Sequence, residues 1–292
     1  MISVVIPALN EEDAIASTVS EARAVLDKAG YTGYEIIIVN DGSSDRTAEI
    51  AEASGAVVLT NAHNMGYGFS LKRGIAAAKN ELIAITDADM TYPFEYVIPM
   101  IEEKKKGFDL VVGARTGEHY RESFFKMVLR RVLRFFVEFV TGRRIPDINS
   151  GLRVFDRSTV MQYFGRLCNT FSFSTSQTLA YMMTAKFVQY VDIPYHARKG
   201  RSKVKMFRDS LKTLQYITEA ALYYNPLKIF MLMTLAMLGL GLAGLLIRFL
   251  FGSHGGTTLF IFSLIASVIV FCIGLLAVLL KQIMDSGSKN GR

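Results

Sequence analysis

Over the first 115 residues, short runs of β-branched and apolar side chains alternate with longer stretches of helical spacing. Residues 3–6 read as a strand, and residues 12–29 carry good helix formers at a helical period. Residues 36–40 are apolar almost without a break, and residues 45–53 return to helical spacing. Residues 57–60, 82–86 and 110–113 supply further strands, with a helix expected over 70–78. Strands and helices in this rhythm predict an α/β fold, a parallel sheet with helices on both faces.

Further along the pattern changes. Residues 229–247 run for 19 positions without a charge, and residues 259–280 for 22. Each is long enough to cross a hydrocarbon core, which needs roughly 20 residues. A short link around residues 252–258 joins them, so a two-helix transmembrane hairpin is expected at 226–292, behind a globular domain at 1–225. Two amphipathic stretches come before it. Residues 121–141 set Phe124, Phe125, Phe135, Phe136 and Phe139 among Arg121, Lys126, Arg130, Arg131 and Arg134. Residues 203–224 mix Met206, Leu211, Leu214, Ile217 and Leu222 with Lys203, Lys205, Arg208 and Lys212. Apolar and aromatic side chains against Lys and Arg are the composition of interfacial helices lying in the headgroup plane. The alternative is a pair of ordinary amphipathic helices packed on the domain. There is no internal repeat and no low-complexity tract.

Charge sharpens this division. The net charge of +7 hides an acidic front, 9 Lys and Arg against 17 Asp and Glu over residues 1–111. Residues 112–228 reverse the balance, 20 against 8. Basic stretches mark nucleic acid or an anionic membrane surface. The apolar spans favour a lipid bilayer, and no nucleic-acid partner is expected. Lys228 precedes the first span, and Lys281, Lys289 and Arg292 follow the second, whereas the link holds only His254, with Arg248 just before it. The positive-inside rule then places both termini and the front domain on the cytoplasmic side of the cell membrane. The only cysteines, Cys168 and Cys272, are not expected to pair, since the second lies in an apolar span, and a reducing compartment follows. Met1 leads directly into a strand-like run, so no signal peptide is expected.

In open α/β sheets ligands bind at the carboxyl ends of the strands. Pro7, Asn10, Glu11 and Glu12 follow the first strand, Asp41, Gly42, Ser43, Ser44 and Asp45 the second, and Asp87, Ala88 and Asp89 the fourth. Asp45 with Thr47 reads as a helix N-cap. Asp87 and Asp89 would repel one another unless a cation lay between them. Mg2+ or Mn2+ with a nucleotide diphosphate suits them, because a hard ion takes one or two carboxylates and completes its shell with phosphate oxygens and water. No Gly-x-Gly-x-x-Gly follows the first strand and no P-loop appears, which argues against a nicotinamide cofactor and a P-loop ATPase. Gly66 and Gly68 precede a helix, where they either admit a ligand to the backbone or end a turn.

Taken in order, Val-Ile-Pro-Ala-Leu-Asn-Glu-Glu, Val-Asn-Asp-Gly-Ser-Ser-Asp-Arg-Thr, Asn-Met-Gly-Tyr-Gly, Asp-Ala-Asp and Val-Gly-Ala-Arg resemble family-two glycosyltransferases of the GT-A (Rossmann-like) fold. Within them the chain is similar to polyprenyl-phosphate sugar synthases, over residues 1 to about 225 and in the paired C-terminal spans. The resemblance implies that Pro7, Asn10, Glu11, Asp41, Asp87, Ala88 and Asp89 bind the nucleotide-sugar, with Asp41 on the base. It implies that Asp87 and Asp89 hold the metal. Thr91 is a further candidate ligand, at a place where many relatives carry Gln or Ser. Arg115 matches an arginine assigned to phosphate. Asp147, Ser150, Gly151 and Arg153 match an Asp-x-x-Ser-Gly-x-Arg stretch, and Arg198, Ser202 and Lys203 an Arg-x-x-x-Ser-Lys element. Arg115, Arg153, Arg198, Ser202 and Lys203 are thus the expected acceptor-phosphate set, and Asp89, Arg115 and Asp147 the expected catalytic residues.

The implied reaction is transfer of a hexose from a nucleotide-sugar to polyprenyl (dolichyl or undecaprenyl) phosphate by one inverting displacement. A phosphate monoester, with a second pKa near 6, is already a competent nucleophile at neutral pH and needs no strong base. Metal and cationic side chains must then neutralise the leaving diphosphate and the anionic acceptor. GDP-mannose, UDP-glucose and UDP-N-acetylhexosamine all remain open as donors, as does a homo-oligomer. Two other readings are a membrane-anchored family-two transferase extending a lipid-linked oligosaccharide or surface polymer, and a nucleotide-sugar sensor without turnover.

Overall fold

The computed structural model describes residues 1–116, 124–196 and 206–289. They fall into two compact units, Met1–Ile217 and Thr218–Arg292. In the first, seven strands form one sheet: β1 (Ile2–Ala8), β2 (Glu35–Asn40), β3 (Val57–Thr60), β4 (Leu82–Ile85), β5 (Leu110–Thr116), β6 (Arg153–Asp156) and β7 (Val188–Pro194). Their order across the sheet is β3-β2-β1-β4-β6-β5-β7.

The front half follows the sequence expectation. β1 runs parallel to β2 with Val5 opposite Ile37, and parallel to β4 with Val5 opposite Ile85. All of β1 is buried. Helices α1 (Ile15–Lys28), α2 (Thr47–Ala53), α3 (Tyr67–Ala77) and α4 (Val97–Lys105) alternate with these strands. Ile15, Val19, Ala22 and Leu26, one stripe of α1, are buried in the same cluster as Val4, Ile6, Ile36 and Ile38. Full burial of such an aliphatic side chain is worth about 1.5–3 kcal/mol. The parallel sheet therefore follows from the apolar runs alone.

The second half corrects the expectation of an all-parallel sheet. β6 runs antiparallel to both its neighbours, with Ala84 of β4 opposite Val154 and Val111 of β5 opposite the same residue. β5 and β7 are parallel. β6 has only four residues, including a fully buried Arg153, so it lacks an apolar run to announce it. β7 is largely half-exposed and its pattern is correspondingly weak.

Helix α5 (Phe124–Thr141) and the short α6 (Arg157–Met161) precede α7 (Phe173–Met183), and α5 packs on α7. Val137 and Val140 of α5 are buried while Phe135 is 59% exposed, so the helix presents one apolar face inward and an aromatic outward. Of the two expected amphipathic stretches, residues 121–123 and 203–205 lie outside the described residues; the remainder is helical, in α5 and in α8 (Met206–Tyr224).

In the second unit, α9 (Pro226–Phe251) and α10 (His254–Lys289) pack against each other as a hairpin. Pro226 sits in the first helical turn, where its missing N–H costs nothing. Gly252, at φ +64°, ends α9 by donating its N–H to the carbonyl of Arg248. The hairpin closes tightly where small residues meet: a Cβ on Gly244 would stand 2.8 Å from the carbonyl oxygen of Gly256. Both helices are long and apolar enough to cross a membrane. Leu242 (64%) and Phe249 (85%) show how much of their apolar surface is exposed rather than buried in a protein core.

Candidate active site

Neighbouring β2, β1 and β4 end at Asn40, Ala8 and Ile85, and their carboxyl ends frame a cavity of about 180 Å3. Pro7, Glu11, Asp41, Asp87, Ala88 and Asp89 line it, together with Asn64, Gly66, Tyr67 and Phe171. A larger hollow of about 380 Å3, beside Met1, Leu82 and Lys105, lies at the other end of the sheet and holds no aspartate. Chain direction explains the choice: the loops after parallel strands carry the variable polar residues, and here they carry the carboxylates.

Asp41, only 4% exposed, is held by three donors. Its Oδ1 accepts from Asn61 Nδ2 at 2.7 Å and from the Met65 N–H at 2.9 Å, and its Oδ2 from the Gly66 N–H at 2.9 Å. The carboxylate thereby fixes the turn that starts α3. Asn10 does similar work one loop over. Its backbone is left-handed at φ +49°, its side-chain oxygen accepts from the Ser44 N–H at 2.8 Å, and its own N–H donates to Ser43 Oγ. Asn10 braces the rim and is not among the residues lining the cavity. Glu11 lines it, with its N–H anchored on Thr47 Oγ1 at 2.8 Å.

Asp87 Oδ1 accepts from the Tyr67 hydroxyl at 2.9 Å. Burial, and then the charge on Asp87, push the Tyr67 pKa well up, so this hydroxyl stays a donor. Asp89 Oδ1 accepts from both the hydroxyl (2.6 Å) and the N–H (3.2 Å) of Thr91. Met90, at φ +58°, makes the sharp bend that brings Thr91 back onto Asp89. Thr91 is fully buried, and its hydroxyl sets the rotamer of Asp89. Among the described residues, no group of three or more His, Cys, Asp and Glu gathers to hold a metal. Two carboxylates on one cavity wall nevertheless fit an ion that takes its other ligands from a diphosphate and water. Gly151 leaves them room: a Cβ there would stand 2.8 Å from Asp87 Oδ2.

Gly66, which caps α3, and Gly68, in its first turn, serve a purpose the sequence left undecided. A Cβ on Gly66 would stand 2.7 Å from the Asn169 carbonyl oxygen, and one on Gly68 would overlap the Cys168 carbonyl. Both admit the backbone of residues 168–169. Lys72 of α3 fastens the same segment through the Leu167 carbonyl (2.5 Å) and Asn169 Oδ1 (2.7 Å). This close approach sets Phe171 beside the cavity, stacked on Tyr67 with ring centroids 5.6 Å apart.

Arg115 and Asp147 come together outside the cavity lining. Nε of Arg115 lies 2.6 Å from Oδ2, and Nη2 lies 2.9 Å from Oδ1. Burial alone would raise the Asp147 carboxyl. The Arg115 charge and hydrogen bonds, helped by the Asn149 N–H, outweigh it and hold the group below the usual range. The guanidinium also lies over the Tyr195 ring, 5.3 Å from its centroid. Tyr195 meets Tyr92 edge-on, and Tyr92 accepts from the Gly151 N–H at 2.8 Å, which links this pair to the wall holding Asp87.

Arg153 is a correction. Expected among phosphate ligands, it is fully buried and donates to the Ser150 and Ile148 carbonyls and to Thr178 Oγ1. It shapes the 147–151 loop from behind, and burial lowers its pKa. Arg198, Ser202 and Lys203 lie outside the described residues. Sequence reasoning missed Tyr67, Tyr92, Phe171 and Asn61. The Gly-Tyr-Gly string was the only available signal for Tyr67, and Phe171 had none.

Residues 3–164 match the family described as Glycosyl transferase family 2. The chain is 30% identical over 256 residues to an undecaprenyl-phosphate 4-deoxy-4-formamido-L-arabinose transferase of Edwardsiella ictaluri, covering 84% of this chain and 76% of that protein. It is 29% identical over 223 residues to the low-salt glycan biosynthesis hexosyltransferase Agl6 of Haloferax volcanii, covering 74% of this chain but only 52% of that longer protein. Among solved structures, glucosyl-3-phosphoglycerate synthase of Mycobacterium tuberculosis with phosphoglyceric acid superposes with a TM-score of 0.63. The match covers 76% of this chain and 80% of that one at 22% identity, a likeness of fold. The same enzyme has been solved with Mn2+ and with Mg2+ beside UDP.

Proposed function

The chain belongs to glycosyl transferase family 2, and from that premise we propose that it moves a hexose from a nucleotide-sugar to a membrane polyprenyl phosphate, inverting the anomeric centre. The observation that carries the choice of acceptor is the bidentate Arg115–Asp147 pair, which engages both oxygens of the carboxylate expected in catalysis. A sugar hydroxyl acceptor needs a carboxylate able to take its proton, and a carboxyl held low by Arg115 is a poor proton acceptor. A phosphate oxygen needs none. The undecaprenyl-phosphate transferase similarity and the two long apolar helices support the same acceptor.

In this reading the diphosphate of the donor lies against the β4 end, where Asp87 and Asp89 would hold Mg2+ or Mn2+. The ion supplies neutralisation of the leaving diphosphate. Tyr67 and Thr91 keep the two carboxylates oriented. Asp41 and Pro7 face the nucleoside, and Arg115, aligned by Asp147 and Tyr195, meets the acceptor phosphate. Arg198, Ser202 and Lys203 complete the acceptor site. The hairpin of α9 and α10 anchors the domain at the cytoplasmic face of the membrane, with α5 and α8 at the headgroups. An acceptor panel tests this: short polyprenyl phosphate, a lipid-linked oligosaccharide and water, offered with each donor. Product only on the polyprenyl phosphate is expected. Product only on the oligosaccharide would move the assignment to the chain-extending reading.

A further inference from the structure

Tyr92 is the joint between the wall that carries Asp87 and the pair formed by Arg115 and Asp147. It follows Asp89 in the same loop, just past the bend at Met90, and is only 4% exposed. Two different parts of its side chain are engaged. The hydroxyl accepts from the Gly151 N–H at 2.8 Å, and the ring meets that of Tyr195 edge-on with centroids 5.4 Å apart.

Each partner stands one contact from a group expected in the reaction. The Gly151 backbone lies against Asp87, since a Cβ there would stand 2.8 and 2.9 Å from the two carboxylate oxygens. Tyr195 carries the Arg115 guanidinium over its ring. The backbone repeats the connection: the His196 N–H donates to the Thr91 carbonyl at 3.0 Å, and the Tyr195 N–H to the Thr116 carbonyl at 3.2 Å. The end of β7 is thus tied both to the residue before Tyr92 and to the residue after Arg115. The loop from Asp147 to Gly151 is itself fastened along its middle. Arg153 holds the Ile148 and Ser150 carbonyls, and Thr175 Oγ1 donates to Asn149 Oδ1.

We infer that Tyr92 is a positioning residue for the transfer, fixing where Arg115 stands relative to Asp87. The inference rests on the reading that Asp87 serves the leaving diphosphate and Arg115 the attacking phosphate, and adds what holds the two in register. Tyr92 is not among the residues lining the cavity, so its contribution is to alignment rather than to holding the donor. A misplacement of about 1 Å between reacting groups costs about a hundredfold in rate even when both substrates stay bound. The effect therefore belongs in kcat and not in either KM.

Tyr92→Phe is the test, because it deletes the hydroxyl and keeps the ring against Tyr195. Sugar transfer to short polyprenyl phosphate is measured on the full-length protein in detergent with Mn2+, varying each substrate in turn. Calorimetric nucleotide binding counts the folded sites. The variant is expected to lose about tenfold or more in kcat, with both KM values within about threefold of wild type and the number of nucleotide sites unchanged. Tyr195→Leu removes the ring contact from the other side; it should lower kcat likewise at unchanged donor KM, and it decides the matter if Tyr92→Phe does not fold. A wild-type kcat, a loss confined to either KM, or a kcat loss matched by lost nucleotide sites would overturn the inference. Wild-type transfer to another acceptor would overturn the polyprenyl-phosphate reading, while the same split measured with that acceptor still decides the role of Tyr92. Wild-type transfer to no acceptor would overturn both.

Discussion

Arg115, near the end of β5, grips both carboxylate oxygens of Asp147, 32 residues further along the chain, at 2.6 and 2.9 Å. The arginine's side chain is 13% exposed and the aspartate's 3%, so the pair is nearly dry. Such a pair fixes a guanidinium plane in one orientation, which a flexible lysine could not provide. The loop before β6 and the end of β5 are thereby joined.

Breaking this pair leaves a buried charge without its partner. Asp147→Asn is expected to cost about 3 kcal/mol in chemical unfolding. The pH dependence has a definite sign. Because the folded carboxyl is held below its ordinary value, the pair contributes fully above the unfolded value of about 3.9 and loses that contribution as pH falls through the lower folded value. Wild type and variant should therefore differ most near neutrality and converge only in strong acid. A difference that already vanishes by pH 6 would contradict the ion-pair account.

Gly68→Ala tests the placement of Phe171. The new methyl would overlap the Cys168 carbonyl, so segment 168–171 must move away from α3. Overpacking of this kind costs about 1–3 kcal/mol. The stronger expectation is a raised KM for the nucleotide-sugar, because Phe171 leaves the cavity wall. A variant with lowered melting temperature and unchanged KM would show that Phe171 has no part in donor binding.

Thr91→Val removes a buried hydroxyl while keeping shape. Loss of its hydrogen bond to Asp89 should cost about 1 kcal/mol of stability. If Asp89 holds the metal, the variant should need roughly tenfold more Mn2+ for half-maximal activity, since second-sphere partners of metal ligands typically matter at that level. An unchanged Mn2+ titration would remove Asp89 from the metal site.

The parallel half of the fold was legible because β1, β2 and β4 are buried on both faces and their apolar runs have no other use. The carboxylates were equally legible, since Asp41, Asp87 and Asp89 follow those runs directly. β6 was not, because its central feature is a buried arginine satisfied by carbonyls of its own loop, a pattern that reads as surface charge in the sequence. That same burial turned Arg153 from an expected ligand into a brace. Phe171 and Tyr67 depend on how closely residues 168–169 approach Gly66 and Gly68, a tertiary contact that no local periodicity encodes. Thr91 lay in view as a ligand candidate, but only the bend at Met90 shows its hydroxyl turned onto Asp89.

The most direct measurement is transfer of radiolabelled sugar to short polyprenyl phosphate by the full-length protein in detergent, with Mn2+ or with EDTA, beside Asp89→Asn. The account predicts an organic-soluble, labelled lipid in the presence of Mn2+ that EDTA abolishes and the variant reduces by at least about a hundredfold. Label that never enters the lipid from any donor, while nucleotide still binds, would contradict it.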